Sequence, residues 1–538
     1  MNKRNLLLVL IVLLSVVVGL ILGNMLAGRA LLRSNNAFGR FFNGSSNDKL
    51  SEVLSLINNQ YVDTVDVNQL SEEMMTDLIS KLDPHSVYIP ASDLEGVNSE
   101  LEGSFSGIGV QFNIQNDTIM IVSVISGGPS EKVGLLAGDR IVQVNDTVFV
   151  GKKVSNEKVM KKLRGPENSK VKLGVKRNGT KEVLKFTVTR GQIPVNSVDV
   201  AYMIEPGVGF IKVSKFAATT YSEFLTAIAN LRAKGAKKYI IDLRENSGGF
   251  MDQAINMVNE FLPANQMIVY SEGKAYPRYE AKSDGKGSCI GLPVVVMIDE
   301  FSASASEIFA GAIQDNDRGI IVGRRSFGKG LVQQQIELSD GSALRLTVAR
   351  YFTPSGRSIQ KPYVKGNAEE YEKDILNRYL HGEFDSKDSI HVADSLKFKT
   401  LKGRTVYGGG GIMPDYFVAR DTSEYTVYLN KVVNYGYIYQ FAFQYTDKNR
   451  KTLNAIKGWQ NIEKYLDKQP LLGDFTTFAA SKGVVPNAKQ IAISRNFLLT
   501  QLKSYITRNI QGDEGFYPLY YKNDKTVLKA LEVIRKQK

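Results

Sequence analysis

The chain has 538 residues, 43% hydrophobic and 23% charged, with a formal net charge of +13. At roughly 100–200 residues per domain that is about three domains, and the apolar content excludes disorder as the bulk state. The basic excess lies in short runs such as Lys152-Lys153, Lys161-Lys162 and Lys237-Lys238 without interleaved aromatics, which excludes a nucleic-acid groove.

Lys3 and Arg4 precede an apolar run, Leu6 to Leu22, broken by Ser15 and Gly19. Extended to Ala27 it has about the 20 residues needed to span a bilayer, and the basic start places the following chain on the far side. Segment 1–27 therefore reads as a transmembrane anchor or a signal peptide. Met25-Leu26-Ala27-Gly28-Arg29 is a poor cleavage site, which favours the anchor. The expected location is the inner membrane, single-pass, with the bulk of the chain in the periplasm or cell envelope.

Residues 28–102 read as a polar linker and an N-terminal helical region. Leu50, Val53, Leu54 and Ile57, then Leu70, Met74, Leu78 and Leu82, recur at helical spacing up to Asp83-Pro84. Residues 103–190 change to short β-like runs (108–112, 119–124, 140–144, 171–176 and 182–189), with helical stretches at 130–133 and 155–163. Turn signals at Asn116-Asp117, Gly127-Gly128-Pro129 and Asn178-Gly179 separate these runs.

Residues 191–421 hold an alternation of strand (209–213, 239–243, 294–298, 320–322, 344–351) and helix (221–234, 251–262, 304–314). That order predicts an α/β core with a mainly parallel sheet. The Gly408–Gly411 run reads as a flexible turn, because no Lys-Ser/Thr follows it as a phosphate loop would need. Residues 422–538 are predicted helical and carry no recognisable chemistry. Their amphipathic sets are Tyr425, Leu429, Val432, Val433 and Val527, Leu528, Leu531, Ile534.

Three segments carry candidate chemistry. Phe301-Ser302-Ala303-Ser304-Ala305-Ser306-Glu307-Ile308 follows a buried strand and opens a helix, so Ser304 sits at a turn beside helix N–H groups suited to an oxyanion. The same Ser304–Glu307 spacing is also that of a helix capping box. Arg325-Ser326-Phe327-Gly328-Lys329-Gly330 places a lysine between glycines. With only His85, His381 and His391 in the chain, a neutral Lys329 is the best remaining base for a serine, although taken on its own the local pattern reads more readily as an ordinary surface loop lysine. Asp242-Leu243-Arg244-Glu245-Asn246-Ser247-Gly248-Gly249 ends a strand on a glycine turn. That turn either presents an N–H to an oxyanion or simply links strand to helix. Cys289 is alone, so neither an intrachain disulfide nor a thiolate metal site is available.

In this order and spacing, D-L-R-x-N-x-G-G, S-A-S-A-S-E-I and G-K-G-x-V-Q resemble the C-terminal processing peptidases, the tail-specific proteases of the S41 serine peptidase family. The likeness covers roughly residues 50–415. It implies a crotonase/ClpP-like α/β core, Ser304 as nucleophile, Lys329 as general base and Gln333 as the group that positions Lys329. It also implies an oxyanion hole from Ala305 and one of Gly248 and Gly249. Residues 103–190 are similar to the PDZ domain this family inserts. The resemblance makes Gly107-Ile108-Gly109-Val110 the carboxylate-binding loop, Val110–Phe112 the peptide-accepting edge and Arg164 a link between peptide occupancy and the active site.

The implied partners are protein substrates with accessible C-termini and, through the N-terminal segment, a membrane. No nucleic acid, metal or other cofactor is implied, and homo-oligomerisation stays open. Two other functions fit parts of the pattern: a catalytically silent PDZ scaffold, and a different acyl-transfer enzyme of the crotonase-like superfamily.

Overall fold

The computed structural model describes residues 49–537, apart from 116, 126, 152, 153 and 178. The chain falls into two compact units, Met1–Leu78 and Ile79–Lys538. In the first, helix Lys49–Gln60 is followed by the start of helix Val67–Ser80, and neither helix has a fully buried residue. Asp66 caps the second helix, its Oδ1 accepting from the N–H groups of Asn68 and Gln69 at 3.0 and 3.1 Å.

The second unit is built on a six-stranded sheet ordered Val198–Glu205, Val208–Val213, Lys238–Asp242, Val294–Ile298, Ile320–Gly323, Tyr416–Phe417. The first pair is antiparallel and the rest are parallel. Parallel strands need crossovers, and helices Thr220–Ala233, Met251–Asn259 and Ala305–Asp315 supply them. Side chains alternate across the sheet. Ile211, Val213, Ile241, Val294, Val296 and Ile298 pack toward these helices. Phe210, Ile240, Val295, Met297 and Val322 face the opposite side.

That opposite face is covered from the far end of the chain. Helix Lys525–Lys536 lays Val527, Ala530, Leu531 and Ile534 on it, and Tyr521 joins them. Each large apolar side chain so buried contributes about 1.5–3 kcal/mol. Leu528, expected in the same apolar set, is exposed, and Ala530 takes the inward position. Ahead of this helix, residues 428–506 form helices with a separate core that includes Leu429, Val432, Phe475, Leu498 and Leu502. Tyr425 and Val433, predicted in that apolar set, are exposed.

A second, antiparallel sheet stands beside the first. Its long strand Ala343–Phe352 pairs with Leu331–Glu337, Val87–Ile89 and Met267–Glu272. The segment before the β-rich module thus contributes a strand to this second sheet. The chain enters and leaves that module through the strand pair Ser104–Gly107 and Gly191–Pro194. Inside it, Val110–Gln115, Thr118–Val124, Arg140–Val144, Lys170–Lys176 and Leu184–Thr189 form one sheet. Helix Asn156–Leu163 packs Val159 and Leu163 into the core of that module.

The inner-membrane, single-pass location expected from the sequence is corrected. Among the described residues no helix is long and apolar enough to cross a membrane. The Leu6–Leu22 run on which the expectation rested lies outside the described residues.

The core is tied to its loop-rich continuation by a buried ion pair. Arg357 Nη2 lies 2.7 Å from Asp315 Oδ1, both side chains 0% exposed, while Arg357 also donates to Gln314 Oε1 and the Tyr407 carbonyl. Arg357→Ala strands the buried Asp315 charge and should cost about 3–5 kcal/mol, read as a lowered urea midpoint of the core transition.

Candidate active site

Strand Val294–Ile298 runs into a turn over residues 299–304, and helix Ala305–Asp315 starts directly after it. Ser304 occupies the junction with φ 55° and ψ −113°, a combination that costs a non-glycine residue about 1–3 kcal/mol. Its neighbours are committed elsewhere. Ser302 Oγ donates to the Leu243 carbonyl at 2.8 Å, and Ser306 Oγ donates to the Asn246 carbonyl at 2.8 Å. Both are fully buried, so Ser304 is the serine of this segment that reaches open space.

That space is a cavity of about 510 Å³. Ser304 and Ala305 line it from the helix start, Gly248 and Gly249 from the turn after strand Lys238–Asp242, and Lys329 and Gln333 from the following loop and strand. Asn98 and Leu101, on helix Ala91–Glu102, form another wall. The structure therefore brings Ser304, Ala305, Gly248, Gly249, Lys329 and Gln333 to one cavity.

The glycine turn is held by its own side chains. Asn246 Nδ2 donates to the Val213 carbonyl and Asn246 Oδ1 accepts the Gly248 N–H, each at 2.9 Å. Asp242, fully buried, is bridged twice by Arg244. Gly248 has φ 103°, and a Cβ there would lie 2.8 Å from Ser304 Cβ and 3.0 Å from the Ala305 nitrogen. Only a residue without a side chain permits that approach. With the Gly248 N–H engaged, the Gly249 and Ala305 N–H groups are left without a hydrogen bond among the described residues. Ala305 is the first helical residue, one of the positions whose N–H has no intrahelical partner.

Glu307 joins the serine turn to the lysine loop. Its carboxylate is 0% exposed and accepts from the Ser304 N–H at 2.9 Å and from the Lys329 and Gly328 N–H groups at 2.8 Å, as well as from Ser326 Oγ. Tyr351 closes the same joint from the carbonyl side, its hydroxyl 2.6 Å from Lys329 O and 3.1 Å from Ser304 O. The capping relation seen in the sequence exists, but the same carboxylate also holds a loop some twenty residues away.

Lys329 is desolvated. Burial, helped by the Arg345 guanidinium, pushes its amine below the ordinary lysine value, against the opposing charges of Glu307 and Asp83. Gln333 lines the same cavity, but its Nε2 donates to Thr347 Oγ1 at 3.1 Å and no hydrogen bond joins it to Lys329. His85 lies close enough for Lys329 to act on it. Burial and that charge push its imidazole down to about 4, and its Nε2 sits 2.9 Å from the Tyr371 hydroxyl.

Residues 207–369 match peptidase family S41 and residues 106–188 match the PDZ domain. A carboxy-terminal processing protease CtpA from Bacillus subtilis is 35% identical over 403 residues, covering 73% of this chain and 84% of that protein. The chain belongs to the carboxy-terminal processing proteases of peptidase family S41. A carboxy-terminal-processing protease from Bartonella bacilliformis is 36% identical over 326 residues, 58% of this chain and 72% of that protein. A solved photosystem II D1 C-terminal processing protease is 28% identical, covers 59% of this chain and 85% of its own, and superposes at a TM-score of 0.34. Residues 428–512 match a family of unknown function.

In the PDZ domain of this S41 protease, strand Val110–Gln115 pairs on one side with Thr118–Val124 and is the edge of its sheet. The Ile108 and Gly109 N–H groups ahead of it make no hydrogen bond among the described residues. Gly107 closes the hinge strand Ser104–Gly107. Arg164 ends helix Asn156–Leu163 and stacks on Phe105 of that hinge strand, 4.2 Å from the ring centre. It touches the entry to the domain and not the Ser304 cavity.

Sequence reasoning missed Glu307 as a bridge, along with Tyr351, Asp83 and Thr347. The one available signal was an acidic residue in the first turn of a helix whose next six residues, Ile308–Ile313, are all small or apolar. Burial pushes the Glu307 carboxyl from 4.5 up to about 7, with four hydrogen bonds opposing the shift. A raised carboxyl contributes stability that is complete below its unfolded value and lost as pH rises through the folded one. The stability margin of wild type over Glu307→Gln should therefore narrow between about pH 4.5 and 7, followed by urea denaturation at several pH values.

Proposed function

We propose that this S41 protease is an endopeptidase in which Ser304 is the nucleophile and Lys329 the general base. The observation that carries the reading is that one buried carboxylate oxygen, Glu307 Oε2, holds the backbone N–H groups of both residues, which face a single cavity. Lys329 is also desolvated, as a base working near neutrality must be.

In this mechanism Lys329 Nζ, neutral, takes the Ser304 Oγ proton as Oγ attacks the peptide carbonyl. The oxyanion accepts from Ala305 N–H and from the glycine turn, where Gly249 N–H is the free donor because Asn246 occupies that of Gly248. Protonated Lys329 then gives its proton to the leaving amine. A water attacks the acyl-enzyme, with Lys329 again taking the proton. Gln333, which lines the same cavity and makes no hydrogen bond to Lys329 in this structure, takes one from the amine during the reaction and orients it without adding charge. The reaction uses no metal, nucleotide or organic cofactor. The strand, glycine turn and helix start support reading the core as crotonase/ClpP-like, as the family resemblance implies.

Substrates are proteins with accessible C-termini. The terminal carboxylate is received by the Gly107-Ile108-Gly109-Val110 loop, and the preceding residues add as a strand to the 110–115 edge. Arg164, stacked on the hinge strand, links that occupancy to the catalytic half.

Ser304→Ala and Lys329→Ala should each abolish cleavage of a casein-like substrate with unchanged thermal unfolding. Wild-type kcat/KM should rise with pH through one ionisation below the free-lysine value of about 10.4. Full activity in either variant refutes the dyad. The inactive Ser304→Ala chain should bind peptides with a free apolar C-terminus and lose most of that affinity when the terminus is amidated, measured by fluorescence anisotropy.

A further inference from the structure

Behind Lys329 a chain of hydrogen bonds runs through three segments that the sequence keeps far apart. Gln333, on strand Leu331–Glu337, donates from Nε2 to Thr347 Oγ1 on strand Ala343–Phe352 at 3.1 Å. Thr347 Oγ1 donates in turn to Asp83 Oδ1 at 3.0 Å, in the turn before strand Val87–Ile89. Asp83 is 7% exposed, and its remaining partners fix it firmly. Oδ1 accepts the His85 and Ser86 N–H groups at 2.9 Å, and Oδ2 accepts Ser86 Oγ at 2.6 Å. Ser86 Oγ also accepts the Thr347 N–H at 3.0 Å, so the threonine is tied to this turn twice.

The direction of this chain is dictated by chemistry. An ionised carboxylate only accepts, so the single hydroxyl proton of Thr347 points to Asp83. The threonine oxygen then has only lone pairs left for Gln333, which must present its NH2. The carboxamide oxygen is thereby turned to the other end, the one that shares the cavity with Lys329.

We propose that Asp83 and Thr347 are positioning residues that set the polarity of Gln333, so that its Oε1 accepts from the Lys329 amine and aims the amine lone pair at Ser304. This rests on Lys329 being the base. Reversed, Gln333 would point an NH2 at Lys329, repelling its protonated form and occupying the lone pair of its neutral form. The groups facing Lys329 are Arg345 from strand Ala343–Phe352, Glu307 from helix Ala305–Asp315, and Asp83 and His85 from the turn. Asp83 is ionised: burial opposes its charge, but the bonds from Ser86, His85 and Thr347 together hold its carboxyl below the usual range. Its charge favours the protonated amine, so Asp83 acts on Lys329 by field as well as by orientation.

The test is steady-state cleavage of a peptide substrate by full-length variants across pH, with thermal unfolding checked for each. Thr347→Val should lower kcat by about tenfold or more, a share of the roughly 10²–10⁴ that general-base catalysis supplies, with KM little changed. Thr347→Ser keeps the hydroxyl and should restore the rate. Asp83→Asn should lower kcat and move the pH inflection down, because a charge that holds the lysine proton is gone. The deciding measurement is a double-mutant cycle: in a Gln333→Ala background Thr347→Val should cost nothing further. The proposal is overturned by wild-type kcat in Thr347→Val, by a Thr347→Ser variant as slow as Thr347→Val, or by additive losses in the double mutant. An active Lys329→Ala chain would instead remove the base itself, so the two failures are distinct.

Discussion

A single buried carboxylate, Glu307, governs the geometry of the catalytic half. In water its hydrogen bonds would be worth little. In the interior, where unpaired donors cost about 1–3 kcal/mol each, a carboxylate with four donors is a rigid joint. It fixes the serine turn and the lysine loop relative to one oxygen pair, and Tyr351 fixes the same two segments through their carbonyls. The unfavourable backbone of Ser304 persists because these contacts leave the turn no relaxed alternative. Gly248 completes the arrangement by letting one main chain approach another where any Cβ would collide.

Around that joint the fold solves a covering problem. A parallel sheet is apolar on both faces, as the alternation of Ile211 and Val213 against Phe210 shows. One face is covered by the crossover helices that carry Ser304. The other is covered by Lys525–Lys536, and Arg244 anchors that segment through Asp524 at 2.8 Å. Arg244 also bridges Asp242 and packs over Tyr521, so the motif arginine works as a structural tie between the catalytic turn and the C-terminal helices. The tail that carries no recognisable chemistry is thus part of the catalytic domain's core.

The PDZ domain is spliced in next to the cavity. Helix Ala91–Glu102, which lines the cavity, runs through Gly103 into the hinge strand Ser104–Gly107, and the return strand Gly191–Pro194 pairs with it. Leu101 O accepts the Ala218 N–H at 2.9 Å, fixing the end of that helix to the peptidase core. The route from the edge strand of the PDZ domain to the Ser304 cavity is therefore one short strand pair and one helix.

The sequence by itself determined the element types of the peptidase core, the place of the PDZ domain ahead of it, and which three segments meet at one cavity. Those are local properties: periodicity marks strands and helices, and glycine turns mark where backbones come close. It pointed to Ser304, with Ser302 and Ser306 flanking it, and it showed Glu307 only as a helix cap. Tertiary structure separated the serines by giving Ser302 and Ser306 carbonyl partners from a different strand end. It also brought Asp83, Thr347 and Gln333, spread over some 260 residues, into one hydrogen-bonded chain. Partners so distant leave no periodic trace, because a hydrogen bond constrains positions in space and not spacing along the chain. The inward turn of Ala530 in place of Leu528 was likewise decided by the sheet that receives the helix, since an isolated amphipathic pattern does not fix which edge of its apolar stripe is covered.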